Sequence, residues 1–208
     1  MGPAVAGVSE VARRRLPPAQ RRRQIVEAAR TRIAAQGVAR ASLRDIAAAA
    51  GVSMGTVSYH FAGVDEILSA VVITEAREFY AAAVATADAE DDPWQALAAL
   101  IDPMFDDSPA VLSHWRIWTH YWAAVARRPG IAGAHDSRIR HWEECCARVL
   151  ARGVASGAFR TVDPAAAALK LAAYSDGLGA QWAQGVTSLT PVRARTWMHE
   201  FARALLAA

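Results

Sequence analysis

The stretch LRDIAAAAGVSMGTVSYHF, residues 43 to 61, decides the fold of the N-terminal third of the chain. A helix-turn-helix unit needs a small residue where its helices cross, a glycine in the turn and an apolar anchor in the second helix. Ala47, Gly51 and Val57 supply these in order. A methyl group lets the backbones approach, and glycine adopts the left-handed conformation of the turn. The pattern predicts a second helix that lies in a DNA major groove.

This second helix offers small, polar or aromatic side chains and no acidic one. Ser53 stands at its N-terminus, where a hydroxyl and free backbone N–H groups can meet a phosphate. Each position taken alone is more commonly an ordinary solvated or packed one. The set as a whole, next to a basic segment, favours contact with DNA. Its members are Met54, Gly55, Thr56, Ser58, Tyr59 and His60.

The formal charge of +3 conceals two unlike parts of the chain. The first 60 residues contain 10 basic and 3 acidic residues, or +7, and the remaining 148 contain 13 and 17, or −4. A basic N-terminal segment predicts that this end meets a polyanion, either nucleic acid or an anionic membrane surface. A solvated basic face is the alternative that charge alone leaves open.

Nothing in the sequence predicts export or a membrane span. No run of eighteen apolar residues occurs, and the N-terminal apolar stretch precedes its arginines, which reverses the order of a secretory signal. Cys145 and Cys146 are adjacent, so on a helix they point about 100° apart and are poorly placed to bond to each other. We therefore expect a soluble protein of the reducing cytoplasm.

Apolar residues recur every three to four positions between glycine and proline nearly throughout the chain, which predicts an all-α fold of about nine helices. Three parts are expected: a flexible basic arm over 1–16, a three-helix helix-turn-helix domain over 17–63, and a larger helical ligand-binding and dimerisation domain over 64–208. The predicted helices span about 18–36, 42–50, 54–60, 64–89, 93–105, 109–127, 131–156, 164–185 and 191–206.

The run from Arg21 to Leu68, with its GVS-GT--YHF core, resembles the N-terminal domain of the TetR family of bacterial transcriptional repressors. The resemblance implies that Thr56 and Tyr59 lie at the groove. Family members often have a phosphate-binding lysine three residues after the Phe61 position, where this chain has Val64; Arg21 to Arg23 or Arg13 to Arg15 are the candidates to replace its charge. The full set of expected DNA-binding residues is Arg21, Ser42, Arg44, Ser53, Thr56, Ser58, Tyr59 and His60.

The last two predicted helices suit a homodimer, because an operator with two half-sites requires a two-fold protein. Each carries an apolar stripe, and helices at a chain end have little left to cover except a partner, although such stripes are more often core. The segments HWRIWTHYWAAVARRPG and SDGLGAQWAQG also resemble the C-terminal domain of the BetI-type subgroup, whose dimer is built from these helices. The expected interface residues are Leu171, Leu178, Trp182, Trp197, Phe201 and Leu205.

Seven tryptophans in 208 residues raise the possibility of a ligand pocket, with ordinary core packing as the alternative for each of them. Tryptophan faces attract cations, and the BetI-type subgroup includes a choline-responsive repressor, so a cationic or amine effector is one expectation. An apolar or aromatic effector fits the same residues. The expected pocket residues are Phe105, Trp115, Trp118, Trp122, Trp142 and Tyr174.

Catalysis, cofactors and metal ions are not expected. His114 and His120 are six residues apart, as are His135 and His141, so neither pair shares one helix face. No Gly-rich phosphate loop or nucleophile elbow is present. The favoured hypothesis is a homodimeric repressor that binds a pseudo-palindromic operator and is released by a small-molecule effector. The alternative is an architectural or nucleoid-type DNA-binding protein without an effector.

Overall fold

A computed structural model describes residues 16–127 and 140–207, and within these ranges the protein is all-helical, as expected. Nine α-helices occur in the described residues. The first nine residues of the expected seventh helix, and the expected arm up to residue 15, lie outside them. The helices are α1 Pro18–Gln36, α2 Leu43–Ala49, α3 Met54–His60, α4 Val64–Ala89, α5 Pro93–Ile101, α6 Pro109–Val125, α7 His141–Ala155, α8 Pro164–Ala183 and α9 Pro191–Leu206.

Local sequence explains where most of these helices begin. The predicted capping box is present at α2: the Ser42 hydroxyl accepts from the Asp45 N–H at 3.2 Å, and the Asp45 carboxylate accepts from the Ser42 N–H at 3.3 Å. The Asp92 and Asp163 carboxylates cap α5 and α8 by accepting from backbone N–H groups of the first turn, and each is followed by proline at the first helical position. These signals act within one helical turn, so the sequence alone specifies them.

The fifth helix is shorter than the sequence predicts. It ends at Ile101, and residues Asp102–Phe105 continue as a 3-10 turn. Pro103 has no backbone N–H to donate to an α-helical bond and its ring crowds the preceding turn. The chain therefore tightens at this point and turns Met104 and Phe105 into the core.

The apolar core has two clusters, and α4 belongs to both. The N-terminal cluster joins α1, α2 and α3 to the first half of α4, with Ile67 and Leu68 completely buried, and it also takes in Trp118 and Tyr121 from α6. The second cluster is built from the rest of α4 with α5 to α9. The apolar core therefore continues past the expected division near residue 63, and any displacement of α4 or α6 is felt by both clusters.

None of the helices in the described ranges is long and apolar enough to cross a membrane.

Candidate DNA-binding and effector sites

The turn between α2 and α3 has the geometry that the sequence predicts. Gly51 adopts a φ of 65°, and the Val52 N–H donates to the Ala47 carbonyl at 3.0 Å. Ala47 is 3% exposed, so its methyl group sits between the two helix backbones, and Val57 is fully buried beneath the turn. A larger side chain at residue 47 would push α3 away from α2. The unit therefore holds α3 rigidly against the rest of the domain.

The outer face of α3 is open to solvent. Tyr59 is 79% exposed and Met54 46% exposed, both high values for large apolar side chains. Ser53 caps the helix by accepting from the Thr56 N–H at 3.1 Å, and the two hydroxyls lie 2.9 Å apart. The ring of His60 meets that of Tyr59 edge-on, with centroids 5.0 Å apart. The face thus combines hydroxyl, phenol and imidazole groups without a carboxylate.

One open groove between the start of α1 and α3 collects most of the expected DNA-binding residues. Arg21 lies on its α1 side, where its guanidinium donates to Gln24 at 2.7 Å, and Gln24 in turn donates to the Ala50 carbonyl at 2.7 Å. Ser42, Arg44 and Ser58 are exposed but do not line this groove in the described residues. The groove is lined by Leu16, Pro17, Pro18, Arg21, Gln24, Ala50, Gly51, Val52, Ser53, Gly55, Thr56, Tyr59 and His60.

A second basic side chain stands at the corner between α1, α3 and the start of α4. The guanidinium of Arg22 lies 4.4 Å from the centroid of the Phe61 ring and 3.5 Å from the Glu66 carboxylate. Glu66 also accepts from the Ala62 N–H at 2.8 Å. Val64, the position where the family pattern often has a lysine, is the first residue of α4, two residues before Glu66.

The helical body contains a cavity of about 240 Å³ between α4, α6, α7 and α8. Aromatic rings form much of its wall, with the Trp118 and Trp122 centroids 5.8 Å apart. The indole Nε1–H of Trp118 has no hydrogen-bond partner among the described residues. The lining residues are Tyr80, Met104, Trp118, Trp122, Arg140, Trp142, Glu143, Leu169, Ala172, Ala173, Ser175 and Asp176.

The expected pocket residues divide into two groups of three. Trp118, Trp122 and Trp142 line the cavity. Phe105 and Trp115 are each 1% exposed and stack on one another at 5.7 Å, and the Trp115 indole N–H donates to the Met104 carbonyl at 2.8 Å. Both are core residues, because their faces are already covered by protein. Tyr174 packs instead on Phe201, with ring centroids 4.5 Å apart.

The acidic residues of the cavity were not predicted from the sequence. Burial raises the pKa of Asp176 to about 7, and the negative charge of Glu143 adds to this effect. Glu143 itself lies 3.3 Å from the Arg140 guanidinium. A signal was present: Asp176 follows Leu169, Ala172 and Ala173 at helical spacing, so a lone acid continues an apolar face of α8.

The expected dimer residues fall into a buried pair and a partly exposed group. Leu171 is completely buried and Leu178 is 5% exposed within their own chain, so they have no surface left to offer a partner. Trp182, Phe201 and Leu205 are half-buried. Trp197 is 40% exposed, with the Arg193 guanidinium 5.9 Å from its ring centroid.

In the described residues no group of three or more His, Cys, Asp or Glu side chains could hold a metal ion.

A helix-turn-helix unit whose core is shared with a cavity-containing helical body defines a DNA-binding transcriptional regulator. The family described as bacterial regulatory proteins, tetR family, matches residues 25–71, and the BetI-type transcriptional repressor C-terminal domain matches residues 93–207. The chain therefore belongs to the TetR family and carries a BetI-type C-terminal domain. This membership confirms the expectation of a transcriptional regulator that is not an enzyme.

Individual relatives agree with this assignment. The HTH-type transcriptional regulator BetI of Stenotrophomonas maltophilia is 35% identical over 151 residues, which are 65% of this chain and 76% of that protein. BetI 1 of Chromohalobacter salexigens is 27% identical over 198 residues, covering 90% and 91% of the two chains. A transcriptional regulator from Saccharomonospora viridis, solved in complex with choline, is similar with a TM-score of 0.80 and 25% identity over 90% of this chain and 98% of that one.

Proposed function

We propose that this regulator is a homodimeric repressor that binds a pseudo-palindromic operator in the cytoplasm and is released by a small organic cation. The observation that carries the proposal is the cavity in which the carboxyl group of Asp176 lies beside three tryptophan rings. Similarity to a regulator solved with choline supports the same ligand class.

On the DNA side, Thr56 and Tyr59 contact base edges in the major groove, and the remaining exposed polar side chains hold phosphates. Arg22 takes the place of the lysine absent at Val64, because it is fixed at the neighbouring corner. The residues proposed for phosphate contact are Arg21, Arg22, Ser42, Arg44, Ser53, Ser58 and His60.

The proposed dimer forms through the outer faces of α8 and α9. Some apolar surface stays uncovered by the described residues of the same chain at Trp182, Trp197, Phe201 and Leu205. Burial of such surface between two copies is favourable at about 25 cal/mol per Å². The buried leucines of α8 support the interface from beneath without contacting the partner.

A monocation suits the charge balance of the cavity. Among the described lining residues, Arg140 pairs with Glu143, so the carboxyl of Asp176 is the remaining acidic group that can balance a ligand. The faces of Trp118, Trp122 and Trp142 add cation–π attraction, which is strongest for tryptophan. A trimethylammonium group keeps its charge at every pH and has no N–H donor, so an aromatic wall with one carboxylate fits it.

The ligand class is tested by binding choline and its uncharged carbon isostere, in which a tert-butyl group replaces trimethylammonium. We expect the isostere to bind at least about tenfold more weakly, since a desolvated charge contact contributes 1.4 kcal/mol or more. Asp176→Asn should lower this preference, whereas Asp107→Asn, a change to an exposed carboxylate, should leave it intact. Equal affinity for the charged and uncharged compounds would refute a cationic effector.

The repressor role is tested by titrating the DNA upstream of the gene with and without choline at two salt concentrations. Specific binding by a dimer, weakened by the ligand, is the expected result. An affinity that depends on salt but not on DNA sequence or ligand would instead support the architectural alternative.

A further inference from the structure

A chain of buried polar contacts connects the cavity with the DNA-binding domain. Its centre is Glu75 on α4, a carboxylate only 3% exposed. Glu75 accepts from the Nδ1 of His114 on α6 at 2.9 Å and from the guanidinium of Arg30 on α1. The other ring nitrogen of His114, Nε2, lies 3.0 Å from the hydroxyl of Tyr80. These four residues are called the relay below.

The protonation states give every hydrogen bond of the relay a direction. Burial lowers the pKa of His114, so its imidazole is neutral at pH 7. Burial raises the pKa of Glu75, but hydrogen bonds from His114 and Arg30 more than offset this, so the group is a carboxylate. The Nδ1–H of His114 therefore donates to Glu75, which leaves Nε2 to accept the proton of the Tyr80 hydroxyl. A protonated imidazole would instead donate from Nε2 to the Tyr80 oxygen, and the lowered pKa of His114 disfavours that state.

One end of the relay lies at the cavity, and the other lies on a helix of the DNA-binding domain. Tyr80 is part of the cavity wall. Arg30 lies on α1, the helix that carries Arg21 at the edge of the DNA-binding groove. Between them, the His114 ring is stacked on Phe79, with centroids 3.6 Å apart, and it meets Trp118 of the cavity wall edge-on at 6.1 Å. His114 thus has no room to shift without moving a neighbour.

Holding helices together with a buried carboxylate costs free energy, because the charge must be removed from water. An ion pair in a protein interior gains little over apolar residues of the same size, but the loss of one partner strongly destabilises what remains. The stability of such a cluster therefore falls sharply when one of its hydrogen bonds is lost. The stability of an apolar contact between the same helices would change more gradually as the helices move apart.

We propose that the relay transmits occupancy of the cavity to the DNA-binding domain. A ligand that draws the Tyr80 hydroxyl away leaves His114 Nε2 without a donor, and the imidazole then turns from Glu75 and loosens its hold on Arg30. The position of α1 relative to α4 changes, and with it the orientation of α3 towards DNA. This inference rests on the proposed function, because it assigns the regulation of the same cavity.

The test compares Tyr80→Phe with Tyr174→Phe, which removes the same hydroxyl from a tyrosine outside the relay. Each full-length protein is titrated with a duplex selected by the wild-type protein from random-sequence DNA, without choline and with saturating choline. Choline is expected to weaken DNA binding about tenfold or more in the wild type and in Tyr174→Phe. In Tyr80→Phe, choline should change DNA binding less than about threefold, and calorimetry should show that this variant still binds choline. Release of Tyr80→Phe to the wild-type extent overturns the relay.

Failure of choline to bind to the wild type would refute the proposed effector but not the relay. A second measurement therefore tests the relay without a ligand. Amide hydrogen exchange of the ligand-free proteins is compared over α1. Loss of the Tyr80 hydroxyl should speed exchange around Arg30 about fivefold or more, because a buried acceptor is left unpaired, and Tyr174→Phe should leave it unchanged. Equal exchange in all three proteins overturns the relay.

Discussion

Gly179 and Gly177 lie two residues apart on α8. Substitution of each by alanine should change the stability of the protein in opposite directions. A Cβ at Gly179 would stand 2.1 Å and 2.2 Å from two ring atoms of Trp115, whereas nothing lies within 4 Å of a Cβ at Gly177. The Trp115 ring cannot retreat, because it is stacked on Phe105 and its indole N–H is bonded to the Met104 carbonyl. Relief to an ordinary 3.4 Å contact therefore requires roughly a 1.3 Å separation of α8 from α6.

The two substitutions have calculable consequences for the free energy of unfolding. Alanine in place of glycine in a helix is favourable by about 0.5–1 kcal/mol, which is the whole effect expected for Gly177→Ala. For Gly179→Ala, overpacking costs about 1–3 kcal/mol, and the separation of α8 from α6 adds the loss of packing contacts between these helices. We expect a net destabilisation of about 3 kcal/mol, or a fall in Tm of roughly 6–12 °C for a chain of this size.

Urea unfolding followed by tryptophan fluorescence measures both variants against the wild type. All three are compared at one protein concentration, because the stability of an oligomer depends on concentration. The midpoint for Gly179→Ala should fall and that for Gly177→Ala should rise slightly. A Gly179→Ala protein as stable as the wild type would refute the close packing of α8 on Trp115.

Three other substitutions address the domain contact, the cavity and the DNA-binding face. Gly37→Ala should destabilise the protein by about 1–3 kcal/mol in the same unfolding assay, because residue 37 has a φ of 80° and a Cβ there would stand 2.9 Å from the His120 ring. Asp176→Asn should stabilise the ligand-free protein at pH 8 but not at pH 3.5 in thermal unfolding. The reason is that burial raises the pKa of Asp176 from 3.8 to about 7, so its protonated form stabilises the fold fully below pH 3.8. This stability is lost as the pH rises through about 7, at about 1.4 kcal/mol per pH unit. Equal dependence of Tm on pH in the two proteins would contradict the burial of Asp176. Arg44→Ala should lower the slope of log K for DNA binding against log salt by about 1, and Lys170→Ala on the exposed side of α8 should not change it.

The DNA-binding unit was predictable because its determinants are local. Ala47, Gly51 and Val57 lie within eleven residues, and each acts on its nearest neighbours through backbone approach, turn conformation or burial. The helix-capping residues act over a single turn. Pro103 shows the limit of periodicity: the apolar pattern continues through it, but the missing N–H ends the α-helix.

The cavity was only half predictable, because aromatic spacing does not say which face of a helix meets a neighbour. Trp115 and Trp118 are one turn apart on α6, yet the first is sealed in the core and the second lines the cavity. The burial of Asp176 was not predictable, because it depends on how α6 and α7 pack against α8. The α8 stripe of Leu171 and Leu178 likewise suits a partner chain or the protein's own core, and only packing distinguishes them.

The sequence by itself determined the all-helical fold, the helix-turn-helix unit and the separation of a basic N-terminal end from an acidic body. Each of these follows from short-range periodicity, capping, turn chemistry or summed charge. The tertiary structure alone decided which side chains form the cavity and the relay, since Arg30, Glu75, His114 and Asp176 come from four different helices. Their juxtaposition depends on how those helices pack, and no local pattern records that arrangement.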